Sequence, residues 1–166
     1  AAMLAGAQAT PDAFKENLRG ASLVHYAGHA VFNDERPDRS FFVLAGREPT
    51  GGARLSAAAL SELDFRGIRL VVLSACQTIR SSTGRTGGFA GLAGSMLMAG
   101  AGGVMGSLWR VDDARTRALM LTFYEAYDSS ANPSAALRTA QLKLLQSHDP
   151  ALRSPSAWAG FRYTGL

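Results

Sequence analysis

The sequence predicts an α/β domain in which a largely parallel sheet is covered on both faces by helices. Two observations carry this. Residues 70–74 (LVVLS) form an apolar, β-rich run of the kind found in strands buried on both faces, and residues 22–26 (SLVHY) repeat the pattern upstream. Capped amphipathic segments follow such runs, and strands alternating with helices place a parallel sheet between helical layers.

Taken in order, Thr10-Pro11-Asp12 is a helix start, with a capping hydroxyl, proline at the first helical position and an acid in the first turn. That helix turns Phe14 and Leu18 inward at i, i+4 spacing and stops at Gly20. The strand at 22–26 follows, then a polar turn at 33–39, a short strand at 41–44 and a loop at 46–52. Ser56 caps a short helix reaching about residue 63, and Gly67 punctuates before the strand at 70–74. Residues 79–85 (IRSSTGR) are small and polar and read as a loop.

From Thr86 to Trp109 the chain carries no charge over 24 positions, long enough to span a membrane. Eight of those positions are glycine, which breaks such a helix. The stretch reads instead as a small-residue helix at 88–99, a tight loop and a strand at 104–108. Asp112 and Asp113 open a helix with Leu119, Phe123 and Tyr127 on one face, and Asn132-Pro133 opens another carrying Leu137, Leu144 and Leu145. Residues 158–166 hold one last short strand.

The 166 residues fit one domain that buries about two-thirds of its unfolded surface. A single cysteine excludes an internal disulfide framework and suits a reducing compartment. The net charge of +4 is scattered over separated arginines and two lysines, so it reads as a mildly basic solvated surface and not as a nucleic-acid interface.

Chemistry concentrates at two strand ends. Cys76 stands just beyond the 70–74 run, and His29 just beyond the 22–26 run after Gly28. In open α/β sheets reactive groups sit outside the carboxyl ends of strands, and a thiol nucleophile needs a base within reach. Read singly, Cys76 fits a buried, inert thiol equally well, and His29 a core histidine bonded to a carbonyl. Together they read as a Cys–His dyad. His25 lies four positions before His29, but on a strand the two rings do not share a face as on a helix, so His25 reads as structural and not as a zinc ligand. Gly88, Gly91 and Gly94 do not follow a strand as a dinucleotide loop would, and close helix packing accounts for them.

The stretches VHYAGHA, LVVLSACQT, GAGGVMGSLWRVDD, LTFYEAY, ALRTAQLKLL and SAWAGFRYTG, in this order across residues 9–165, resemble the CHAT family, caspase-like domains related to separase and metacaspases. The resemblance implies a caspase-like three-layer α/β/α sandwich and cysteine endopeptidase activity without metal or cofactor. It puts the nucleophile on Cys76, the general acid or base on His29, and the oxyanion hole on the backbone N–H groups of Cys76 and Ala30, where relatives carry glycine. Residues 109–113 (WRVDD) are similar to a separase stretch whose final acid meets a basic substrate side chain. That similarity puts a substrate-binding role on Asp113, with Asp112 its neighbour, and implies cleavage after Arg or Lys; the other reading is that one of the two caps the helix. The family setting implies a bacterial, cytosolic protein whose partners are a peptide or protein substrate and a tetratricopeptide-repeat region of the same polypeptide. It also implies that residues 1–166 are the carboxyl-terminal part of the domain, its first strand absent. A catalytically silent interaction scaffold on the same fold is the alternative.

Overall fold

The computed structural model describes residues 2–33, 35–46, 52–75, 91–109 and 111–165. Its centre is a four-stranded sheet of β1 (Leu23–Ala27), β5 (Leu70–Ser74), β6 (Gly103–Ser107) and β7 (Phe161–Gly165), in the spatial order β1-β5-β6-β7. β1, β5 and β6 are parallel, and β7 returns antiparallel along β6. The mixed sheet thus keeps the parallel core that the apolar runs predict.

A second sheet, which the sequence reading lacks, is antiparallel and small: β2 (His29–Val31), β3 (Phe41–Leu44) and β4 (Ala53–Ser56), in that order. Its middle strand is the one expected at 41–44, whereas β2, at three residues, is too short for two-residue alternation to register. β4 is hidden for another reason, because its last residue, Ser56, is also the cap of the helix behind it, accepting from the Ala59 N–H at 3.1 Å.

Helices cover both faces of the main sheet. On one side, α1 (Pro11–Leu18), α2 (Ala57–Ser61) and α3 (Leu92–Met98) join Val71, Leu73 and Val104 in a core that also takes Phe42 and Leu55 from the small sheet. On the other, α4 (Asp113–Ser130) and α5 (Pro133–Leu145) pack Leu119, Phe123, Leu137 and Leu144 onto Leu70, Val72 and Met105. Leu70 to Leu73 are therefore fully buried from both sides, and each such side chain contributes about 1.5–3 kcal/mol of burial free energy. Two single turns, α6 (Pro150–Arg153) and α7 (Pro155–Trp158), lead into β7.

The caps read from sequence are in place. Thr10 accepts from Ala13, Asp112 from Arg115 and Asn132 from Ala135, each through a side-chain oxygen to a backbone N–H at 3.0–3.2 Å. Residues 88–90 of the expected small-residue helix and the whole 79–85 loop lie outside the described residues. Among the described residues no helix is long and apolar enough to cross a membrane.

Candidate active site

The register of the main sheet matches the spacing of the two candidate residues in the sequence. Leu23 faces Leu70 and Ala27 faces Ser74, a constant offset of 47 positions, and the same offset separates His29 from Cys76 in the sequence. His29 follows Ala27 by two residues, as Cys76 follows Ser74. Cys76 itself lies outside the described residues.

The end of β5 is tied to its neighbour on the far side. The Ser107 hydroxyl, fully buried at the end of β6, donates to the Ala75 carbonyl. The residue immediately before Cys76 thus has its carbonyl anchored to the adjacent strand.

His29 does not simply leave β1, as the sequence suggests; it opens β2 and so belongs to the second sheet, opposite Val43. Its side chain is exposed. What holds it is Tyr26, whose ring is buried and stacked on Phe42 with centroids 4.2 Å apart. The Tyr26 hydroxyl lies 2.7 Å from the His29 carbonyl and 2.9 Å from the Val43 carbonyl, and these two acceptors share its one proton. Burial pushes its pKa up to about 12, so it stays a donor at any ordinary pH.

Gly28 explains the step between the strands. A Cβ there would sit 2.7 Å from the Tyr26 hydroxyl oxygen and 2.9 Å from the ring carbon that bears it. Only glycine lets the chain pass so close. Gly28→Ala is expected to cost about 1–3 kcal/mol through this clash, a fall in melting temperature of several degrees. Adding Tyr26→Phe should return part of the loss, because the nearest atom is then gone; a melting temperature unmoved by Gly28→Ala would contradict the packing described.

Ala30 lies in β2, half-buried and paired with Phe42. Strand geometry is open to any L-residue, so the methyl group brings no backbone strain at this place.

His25, read from sequence as structural, has a specific set of partners. Its Nε2 is 2.9 Å from the Ser74 hydroxyl, and its Nδ1 is 2.8 Å from the Tyr124 hydroxyl on α4. The Tyr124 ring leans on the imidazole, with centroids 5.7 Å apart. The ring keeps an open edge to solvent, yet the protein packed around it disfavours the charged form and holds its pKa below the ordinary 6.5. Both nitrogens are occupied by hydroxyls and His29 stands on the other sheet, so the two histidines do not converge as ligands. Among the described residues no three His, Cys, Asp or Glu side chains cluster as a metal site.

Asp112 is the cap of α4. Asp113, the first helical residue, is exposed, and no hydrogen bond or ion pair engages its carboxylate among the described residues. The segment before α4 is held against Gly160, where an added Cβ would meet Val111 at 2.8 Å and the Trp109 indole nitrogen at 3.4 Å. The Leu108 N–H donates to the Gly160 carbonyl at 2.8 Å. β6 and β7 thereby fix where α4 begins.

Sequence reasoning missed Tyr26, Ser74, Ser107 and Tyr124. All four stand inside the conspicuous stretches, but Ser74 and Tyr124 find their shared partner His25 49 and 99 positions away, and Tyr26 reaches Val43 17 positions away besides the nearby His29 carbonyl, so most of these contacts lie beyond any local pattern.

Comparison with known proteins agrees with this architecture. A solved structure described as "Structure of Protease" superposes with a TM-score of 0.61 over 94% of this chain and 36% of its own, at 12% identity, a likeness of fold alone. Tetratricopeptide repeat protein 28 of Homo sapiens is 37% identical over 111 residues, and that of Mus musculus 36% over 113. Each match covers 67% of this chain but only 4% of the relative. The CHAT domain model matches residues 1–165, and the chain belongs to the CHAT domain family.

Proposed function

We propose that this domain is a cysteine endopeptidase that cleaves after Arg or Lys. The observation that carries the reading is the shared offset of 47 positions: the register that pairs β1 with β5 is also the spacing of His29 and Cys76. Two residues beyond matched strand ends are where a nucleophile and its base can meet across a substrate.

In this reading the Cys76 thiol passes its proton to His29, and the thiolate attacks the carbonyl carbon of the scissile bond. The oxyanion that forms is held by the backbone N–H groups of Cys76 and Ala30. As the C–N bond breaks, His29 returns the proton to the leaving amine, leaving a thioester on Cys76. Water then attacks the thioester with His29 as base, releasing the acid and restoring the thiol. The exposed Asp113 carboxylate, with Asp112 beside it, receives the guanidinium or ammonium of the substrate.

The substrate is a protein or peptide, the setting is the cytosol, and regulation comes from other parts of a longer polypeptide. Relatives built on tetratricopeptide repeats support a repeat region in that role. The test is cleavage of a diverse peptide library by the intact polypeptide beside its Cys76→Ala variant. Cuts after Arg or Lys that vanish with Cys76→Ala are expected. No cleavage by the wild type would leave the silent scaffold as the reading, and cleavage that survives the substitution would take the nucleophile's role away from Cys76.

A further inference from the structure

We infer that His25 is a positioning residue: bonded through Nε2 to Ser74 and through Nδ1 to Tyr124, it clamps the carboxyl end of β5 to helix α4 and so sets the approach of the segment that carries Cys76. The inference rests on the peptidase reading for its functional consequence, though not for its geometry.

Three features separate this arrangement from ordinary core packing. First, both ring nitrogens are spent on hydroxyls from two other elements, so the imidazole is a bridge with no capacity left over. A neutral imidazole offers one donor and one acceptor, and two hydroxyls that can each donate or accept satisfy either tautomer. Second, His25 is exposed while its neighbours on the same face of the sheet, Leu70 and Val72, are fully buried, so burial of the ring is not what it contributes there. Third, the grip is two-sided. His25 takes the Ser74 side chain from the β1 side, and Ser107 takes the Ala75 carbonyl from the β6 side. The two residues leading into Cys76 are therefore both held by side-chain hydrogen bonds to flanking strands.

A nucleophile held to within a fraction of an ångström reacts far faster than one that wanders, and the residues that hold it need not touch substrate. Neither Ser74 nor Tyr124 is placed to meet a substrate in this role; each acts through the ring between them.

The test uses the intact polypeptide with Ser74→Ala, Tyr124→Phe and the pair, measuring kcat and KM for peptide cleavage, the melting temperature, and the rate at which iodoacetamide alkylates the peptide carrying Cys76. Tyr124→Phe keeps the ring and removes only the hydroxyl, so it is expected to fold. Each single substitution should lower kcat about tenfold with KM little changed, and should shift the Cys76 alkylation rate. The pair should be no worse than the worse single, because the three groups act as one unit. Variants that melt lower while kcat and the alkylation rate stay at wild-type values would overturn the inference. Should the wild type cleave nothing while alkylation of Cys76 still responds to Ser74→Ala and Tyr124→Phe, the clamp stands and the peptidase reading falls. Should the wild type cleave while neither substitution changes cleavage or alkylation, the clamp falls and the peptidase reading stands.

Discussion

Replacing Cys76 or His29 by alanine, singly or together, is expected to bring peptide cleavage to one common floor. Removing a nucleophile or its base from a unit of this kind costs on the order of 10³–10⁶ in kcat, about 4–8 kcal/mol of transition-state stabilisation. The second loss adds almost nothing, because a base without a nucleophile has no proton to take. His29 is well suited to the measurement: its side chain is exposed, and what fixes its position is its backbone carbonyl on Tyr26. His29→Ala should therefore keep the wild-type stability to within about 0.5 kcal/mol, as is usual for surface positions, and the melting temperature nearly unchanged. The comparison to make is kcat/KM for the two single variants and the double. Losses that multiply would show two groups acting independently and would contradict the dyad.

The second large effect concerns the two acids at the start of α4, only one of which caps the helix. Asp112 caps the helix, its carboxylate accepting from the Arg115 N–H at 3.0 Å. Asp112→Ala should cost about 1 kcal/mol of stability and leave the preference among substrates as it was. Asp113 caps nothing and is exposed. In the proposed function it meets a cationic side chain, and losing one partner of such a pair costs about 2–5 kcal/mol. Asp113→Ala should therefore lower kcat/KM on Arg and Lys peptides about a hundredfold or more with little change in melting temperature. Asp113→Asn, which keeps the shape and removes the charge, should follow it. A wild-type preference for an acidic residue before the cut would reverse the assignment.

The strands and caps that are legible in the sequence share a physical property: their cause is local. The capping oxygen of Asp112 serves an N–H three residues on, so the signal fits in one short window. The Leu70–Ser74 strand is legible because helices cover both its faces and the chain answers with an unbroken apolar run. The small sheet is not, because Ala53–Ser56 has a single buried leucine and no pattern to repeat. At the site the division is the same. His29 and Cys76 stand out in sequence because residue type and strand end coincide. Ser74 and Tyr124 do not, since a serine and a tyrosine acquire meaning only when His25 comes between them. His25 itself is legible as structural but not as a bridge.

The pairing of β1 with β5 has a consequence for how the molecule comes into being. Each rung of that ladder closes a loop of 47 positions, and the pairing of Gly103 with Gly165 between β6 and β7 spans 62 positions. Such long-range contacts draw their entropy cost before they return any stability, which makes them late events in folding. A chain emerging from the ribosome therefore exposes His29 well before β5 has appeared. In the proposed function the two halves of the site depend on that late pairing, so a nascent or locally unfolded chain would cleave nothing.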